Sequence, residues 1–351
     1  MYIKLFNSLM TTAKRTRNEI PSCNLEGHIA RMTSLLQEKG GNHLTHLTYL
    51  KDKEVFWNED QTVFILYKRF ANKLIVLGDP VGEEAHIHQA IKEFSDHGRD
   101  RGLKPVFYQI SPKYMQHYHD SGYRFVKLGE EGIVNLRLFT TEGKKNGKLR
   151  TSLNKLSRNG YFFNVVQPPF SEGVLSEITA VSSMWLGDQK EKGFSVAAFS
   201  EEYVSRFPVA MIRDSQGKLI AFATLPTNYK GTISIDLMRK VADSPNGTMD
   251  ALFVHIFNWA KSNGYQACSL GMSPLSNVGN CHHSFMTEKL IHLAYLHGNS
   301  LYNFRGLREF KDKFSTDWEP KYLAYKKTAL PIAFVQLLLL INQNQQAKSH
   351  R

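Results

Sequence analysis

The sequence predicts an α+β fold built from two similar units in tandem, each with a mixed sheet. Three observations carry this. The chain has 351 residues, 42% of them hydrophobic and 12% aromatic, which is enough for two cores of ordinary domain size. Apolar residues recur at helical spacing in some segments and alternate at strand spacing in others. The order of those segments in the first half then returns, in fuller form, in the second.

In the first half, Ile29, Met32, Leu35 and Leu36 fall on one helical face. Strands are expected at 44–50, 62–67 and 74–77, the last two joined by a hairpin turn around Asn72. An amphipathic helix at 83–97 sets Ile87, Ala90, Ile91 and Phe94 on one side. A strand at 105–110, a short helix at 112–121 and strands at 123–128 and 133–138 complete the block. The second half opens with a helix over 148–159, stopped by Gly160, and a strand at 161–166. Helices over 171–186 and 200–206 precede three strands, 208–213, 219–224 and 233–238. A helix over 248–262 ends at Gly264, followed by a strand at 266–270, helices over 284–297 and 302–314, and a strand at 318–325. Strand, two helices, three antiparallel strands, helix, strand, helix, strand is the order of the acyl-transfer fold of GNAT-type N-acetyltransferases. The expected division is a leader over 1–20, a first unit over 21–142, a second over 143–328, and an apolar C-terminal helix and tail over 329–351.

The charge narrows the partners. There are 44 Lys and Arg against 32 Asp and Glu, a net +12. Such an excess favours nucleic acid, anionic lipid or a phosphorylated substrate. Cys23, Cys268 and Cys281 are far apart and odd in number, so no disulfide framework is expected and a reducing compartment fits. No stretch reaches the roughly 18–20 apolar residues of a membrane span; the closest, 331–341, is too short. His86 and His88, His117 and His119, and Cys281-His282-His283 lack the paired spacing of a zinc site, and no metal is expected. Neither a phosphate-binding Walker loop nor a nucleophile elbow is present.

Four segments carry chemistry. Residues 144–158 hold six cations and no acid. On a helix, Leu149, Leu153 and Leu156 face a core, while Arg150, Asn154 and Arg158 line another face; with Lys148 and Lys155 they suit a row of phosphates or a solvated face. Asp236, between Ile235 and Leu237 in an expected central strand, points opposite to them and can bind an ammonium group if that face is a cleft; a salt bridge at a strand end is the alternative, with Arg239 on the opposite face unless a bulge intervenes. Gly247 opens the 248–262 helix, whose N-terminal amides can hold a phosphate or carboxylate, with Asp250 an ordinary first-turn acid. The glycine-rich pyrophosphate loop of acetyl-CoA enzymes is missing there, which weakens an acetyl-CoA reading. Along 303–325, Leu307, Phe310 and Phe314 form a core stripe and leave Arg305, Arg308, Lys311 and Lys313 for anions or for pairing with Glu309 and Asp312.

Taken together, Trp185-Leu-Gly, Glu191-Lys-Gly-Phe-Ser195, Ile235-Asp-Leu-Met-Arg239, Gly247-Thr-Met-Asp250, Leu270-Gly-Met-Ser-Pro-Leu-Ser276 and Phe304-Arg-Gly-Leu-Arg with Lys311-Asp-Lys-Phe314 resemble the cytosolic domain of the bacterial aminoacyl-phosphatidylglycerol synthase family, the phosphatidylglycerol lysyltransferases. The resemblance spans about residues 21–341. It implies a tandem acyltransferase fold that moves lysine from lysyl-tRNA to a hydroxyl of phosphatidylglycerol, with no cofactor. The product lowers negative membrane charge and resists cationic antimicrobial peptides. It also implies a place at the cytoplasmic face of the cell membrane, beside an N-terminal transmembrane flippase region, with residues 1–20 at the junction. Under it, Asp236 holds a lysyl ammonium, Arg305 and Lys311 bind phosphate or steady negative charge, and Glu130 and Asp250 serve substrate contact or proton transfer. Arg239, Gly247 and Lys313 fall to substrate binding, and Lys148, Arg150, Lys155 and Arg158 to the tRNA end. A Fem-type peptidoglycan aminoacyltransferase and a catalytically silent tRNA- or membrane-binding module are the other readings.

Overall fold

A computed structural model of the chain describes residues 25–279, 304–326 and 330–342. The expected leader, the 284–297 helix and Cys281-His282-His283 lie outside these. The chain divides into two compact units. Unit one takes the described residues of 1–128, 193–196 and 320–343, and unit two those of 129–192 and 197–319.

In unit one, helix α1 (Leu25–Lys39) buries Ile29, Met32 and Leu36. Strands β1 (Glu54–Trp57), β2 (Val63–Phe70) and β3 (Lys73–Leu77) are antiparallel neighbours, and β3 runs parallel to β5 (Lys104–Ile110). The two-residue β4 (Val81–Gly82) pairs with β2, and residues 322–325 of β13 (Asp317–Tyr325) lie antiparallel to β5. The hairpin around Asn72 is present, with Phe70 opposite Lys73. Helix α2 (Ile87–Asp100) lays Ile87, Ala90, Ile91 and Phe94 into a core with Val63, Val76, Phe107 and Tyr118. Helices α3 (Met115–Asp120) and α9 (Leu330–Ile341) also pack in this unit.

Two expectations change here. Residues 45–50 are a 3₁₀-helix with Thr45 to Tyr49 buried; Leu44, Leu47 and Leu50 recur every third residue, which is the period of that helix. Residues 124–135 form one strand, β6 (Arg124–Asn135), where the glycines at 129 and 132 suggest a break between two. A Cβ at Gly129 would stand 2.3 Å from the Ser273 carbonyl oxygen, and one at Gly132 2.7 Å from Ser315 Oγ. Those glycines permit close backbone approach within a strand.

Unit two carries a four-stranded antiparallel sheet, ordered β11 (Met238–Lys240), β9 (Leu219–Thr224), β8 (Val209–Arg213), β7 (Phe162–Val166). A second set pairs residues 129–135 of β6 antiparallel with β12 (Ala267–Pro274), and β12 parallel with β10 (Thr232–Ser234). Helix α4 (Gly147–Arg158) packs Leu149 and Leu156 against α7 (Thr248–Ser262), whose Leu252, Phe253, Ile256 and Phe257 fill the same core. Helix α5 (Glu172–Leu186) is capped by the Ser171 hydroxyl, which accepts from the Val174 amide, and α6 (Glu201–Val204) by Ser200. Helix α8 (Phe304–Asp312) leads to Phe314, which closes the core against Phe253 and Phe257.

Candidate active site

The expected strand over 233–238 is two strands in two sheets. Ser234 is the last residue of β10 opposite β12, across from Ser269, and the Ile235 amide still donates to the Ser269 carbonyl at 3.1 Å. Asp236 then turns away. Its amide donates to the Thr224 carbonyl at 3.2 Å, and by Met238 the chain has joined β9. β12 instead continues along β6 through a bulge between Ser269 and Met272, where Gly271 takes φ +72. Two parallel strands thus part inside unit two. At about 3.3 Å per residue, Asp236 and Gly271 each lie within roughly 7 Å of chain from the last bond that joins them. Parting strands leave a gap beside open backbone groups, and bulges of this kind recur beside active sites.

On one side of the gap, the Asp236 carboxylate is half-buried and accepts from the Tyr203 hydroxyl at 2.5 Å. Tyr203 is fully buried on α6, so the carboxylate is held in one orientation. On the other side, Lys311 is buried at 4% exposure and donates to the carbonyls of Gly271 and Met272, both at 3.0 Å. Burial pulls its proton affinity down to about 7, with Glu131 opposing the shift and Arg308 adding to it. Glu131 accepts from the Ser269 hydroxyl at 2.5 Å. Glu130 accepts from Arg308 at 2.7 Å and from Asn277 at 2.8 Å, and the Arg308 guanidinium lies 3.3 Å from the centre of the Trp318 ring.

Several expected site residues are placed differently from their assigned roles. Lys311 cannot clamp a phosphate from outside, since its ammonium is spent on two backbone carbonyls and ties down the bulge. Arg239 turns inward at 2% exposure. It donates to Glu191 at 2.6 Å and to the Ser182 hydroxyl at 2.6 Å, with its guanidinium over Trp185. It braces α5 against β11 and offers nothing to a ligand directly. Glu130 is engaged by Arg308 and Asn277 and anchors them. Asp250 and Lys313 pair with each other at 2.8 Å. Gly247 caps α7 at φ +88, and a Cβ there would stand 2.5 Å from Ser152 Oγ on α4. Its role is to let α4 and α7 approach. Gly247→Ala is expected to cost about 2 kcal/mol and lower Tm by several degrees in a thermal melt. Arg305 is exposed on α8.

On α4, Lys148, Lys155 and Arg158 are exposed, while Leu149 and Leu156 are buried as expected. Arg150 departs from that face: its Nη1 donates to the carbonyls of Thr141 and Gly143, at 2.5 and 2.7 Å, and fastens the loop that precedes the helix. Among the described residues, no group of three or more metal-ligating side chains gathers. Tyr203 and Glu191 pair with Asp236 and Arg239, Asn277 with Glu130, and Glu131 with Ser269; Glu191 lies in the 191–195 motif, and no local sequence pattern singles out the other three. Arg308 is visible in the sequence only as one of the cations of the 303–325 segment.

The pattern recurs in unit one. The last pair of parallel β3 and β5 is Leu77 with Tyr108, the Gly78 amide donates to the Tyr108 carbonyl at 2.8 Å, and Asp79 follows. β5 then bulges at Gln109, φ +65, and a tyrosine hydroxyl, Tyr118, donates to the acid at 3.1 Å. Asp79 stands two residues past the last pair, as Asp236 does. Here the acid is closed in. It is buried, accepts from the Ser111 amide at 2.9 Å, and is pushed up to about 6 by desolvation. Of these two acids, the one in unit two is the more exposed.

Residues 33–325 match the family model described as phosphatidylglycerol lysyltransferase, C-terminal. A phosphatidylglycerol lysyltransferase of Staphylococcus xylosus is 40% identical over 325 residues, 92% of this chain and 39% of the relative. The chain therefore spans about two fifths of the length of that relative. The solved structure of L-PGS from Bacillus licheniformis is 42% identical with a TM-score of 0.80, covering 90% of this chain and 97% of that one. The C-terminal domain of a putative lysylphosphatidylglycerol synthetase from Agrobacterium fabrum is 35% identical with a TM-score of 0.81, covering 91% and 97%. FemX, at 10% identity and a TM-score of 0.54 over 91% of this chain and 98% of that one, shares the fold alone.

Proposed function

Because the chain belongs to the phosphatidylglycerol lysyltransferase C-terminal family, we propose that unit two moves the lysyl group of lysyl-tRNA onto a hydroxyl of the phosphatidylglycerol head group. The observation that carries this reading is the parting of β10 and β12, with an oriented, half-buried carboxylate on one side and a lysine-tied bulge on the other.

The chemistry is an ester exchange. The lipid oxygen forms a bond to the lysyl carbonyl carbon, the bond from that carbon to the tRNA ribose oxygen breaks, and the lipid hydroxyl's proton ends on the ribose oxygen. One ester is traded for another, so no ATP or cofactor is consumed. The protein has to align the two oxygens and stabilise the tetrahedral oxyanion. Asp236 holds an ammonium of the lysyl group, kept on target by Tyr203. Lys311 fixes the bulged backbone beside the reacting carbonyl and places positive potential there. Glu130 positions Arg308, and the exposed Arg305 meets phosphate. Lys148, Lys155 and Arg158 guide the tRNA acceptor end.

In the full-length protein, this reading sets the chain at the cytoplasmic face of the membrane beside an N-terminal transmembrane region. The lysylated lipid would lower negative surface charge and repel cationic antimicrobial peptides. Among the described residues, no helix is long and apolar enough to cross a membrane.

The direct test incubates the chain with phosphatidylglycerol vesicles and labelled lysyl-tRNA or alanyl-tRNA in parallel, followed by lipid extraction. Label from lysyl-tRNA in the lipid fraction is the expected outcome. Label only from alanyl-tRNA, or none in lipid, overturns the reading. Replacing Lys148, Lys155 and Arg158 together by Gln is expected to weaken tRNA binding and reduce its salt slope by about two to three units, read from binding at several salt concentrations. An unchanged slope would remove α4 from the tRNA path.

A further inference from the structure

Helix α9, Leu330–Ile341, begins after the family match ends at residue 325. It has no charged residue. One face packs in unit one: Ala333, Leu337 and Leu340 are buried, and the Ile341 carbonyl accepts from the Gly193 amide at 2.9 Å. The opposite face is apolar too. Ile332, Val335 and Leu338, at i, i+3 and i+6, are exposed by 43%, 42% and 57%. Apolar side chains on both faces of a short helix are more than a surface helix needs to dock.

We propose that the outer face of α9 is an interfacial anchor that seats unit one on an anionic bilayer. Three features favour lipid as the occupant. From Lys326 to Arg351 the sequence holds four Lys or Arg and no acid, so the apolar stripe lies in a purely cationic segment; cations beside an apolar face are what holds a helix in an anionic interface. The stripe offers on the order of 300 Å², well short of the roughly 800 Å² per side that a stable protein interface buries. Twelve residues make a helix of about 18 Å, too short to span the bilayer but long enough to lie in its surface. The inference rests on the lipid-substrate reading above, because an enzyme acting on a head group gains from being held at the membrane plane.

The experiment is flotation of the full chain with vesicles of phosphatidylglycerol and phosphatidylcholine, or of phosphatidylcholine alone. The variant Ile332→Glu/Val335→Glu/Leu338→Glu is compared with the parent, and its fold is checked by circular dichroism. The parent is expected to float with anionic vesicles, and the variant to bind them at least roughly tenfold more weakly. A second variant, Leu338→Trp, should bind at least as well as the parent, and its emission in excess of the parent's should shift to the blue on anionic vesicles. Unchanged binding of the triple variant, or an excess emission in the second that does not move when vesicles are added, overturns the proposal. So does a parent that is a dimer with a monomeric triple variant and equal vesicle binding, which would assign the face to a second copy. Transfer to a detergent-dispersed acceptor separates the two readings. Loss of docking leaves that transfer unchanged, whereas failure of the enzymatic reading leaves even the parent silent.

Discussion

Asp236→Asn is expected to reduce kcat/KM for lysyl transfer by at least about a hundredfold while the protein remains folded. The asparagine oxygen can still accept from the Tyr203 hydroxyl, so the buried tyrosine keeps its partner and the turn from β10 to β11 is preserved. What disappears is the negative charge. A charge-assisted bond to an ammonium in a partly desolvated gap is worth about 3 kcal/mol, or two decades in rate. Asp236→Ala removes both charge and acceptor. It should also lower stability by about 1 kcal/mol, because the buried Tyr203 hydroxyl loses this acceptor. Comparing the two in denaturant melts and transfer assays separates the charge from the scaffold. An Asn variant with parental activity would dismiss Asp236 as the ammonium site.

Lys311→Met is the second large effect. Methionine fills the space of the lysine stem and brings no charge into the interior. It leaves the carbonyls of Gly271 and Met272 without their donor, so the bulge loosens and transfer should fall by at least about a hundredfold. Stability responds differently. Unfolded, the amine keeps its proton up to about 10.5; folded, only up to about 7. Between those values the unfolded chain binds the additional proton, so raising the pH through that window stabilises the parent. The methionine variant lacks this contribution. The Tm difference, parent minus variant, should therefore increase between pH 7.5 and pH 9.5. A difference that is flat or falls across that range would contradict the buried, depressed lysine.

How far the sequence reaches depends on whether a local period records the feature. Helix α7 covers the same residues that its pattern predicts, and the apolar faces of α2 and α4 are the predicted ones, because a stripe at 3.6 spacing has one structural meaning. The tandem α+β architecture follows from the order of such elements. The parting of β10 and β12 is invisible in the pattern. Residues 233–238 alternate as one strand does, and a period of two says nothing about which neighbour the strand pairs with. Gly129-Glu130-Glu131-Gly132 has the composition of a turn. In the structure the two acids are buried inside a strand by Arg308, Asn277 and Ser269, and the glycines admit a close backbone. Arg239 and Arg150 suggest ligand-facing cations because cations are usually exposed. Both satisfy protein acceptors that lie far from them in sequence or fold over from a preceding loop. Such partners are set by tertiary contact alone.

The recurrence of the same strand geometry around Asp79 and Asp236 makes the assignment of the reaction to unit two a claim that can be tested residue against residue. The decisive measurement is labelled lysine recovered in the lipid fraction after incubation with lysyl-tRNA and phosphatidylglycerol, for the parent, Asp236→Asn and Asp79→Asn, each normalised to folded protein. The account predicts a lysylated lipid with the parent, its loss with Asp236→Asn, and its retention with Asp79→Asn. Retention with Asp236→Asn and loss with Asp79→Asn would contradict it.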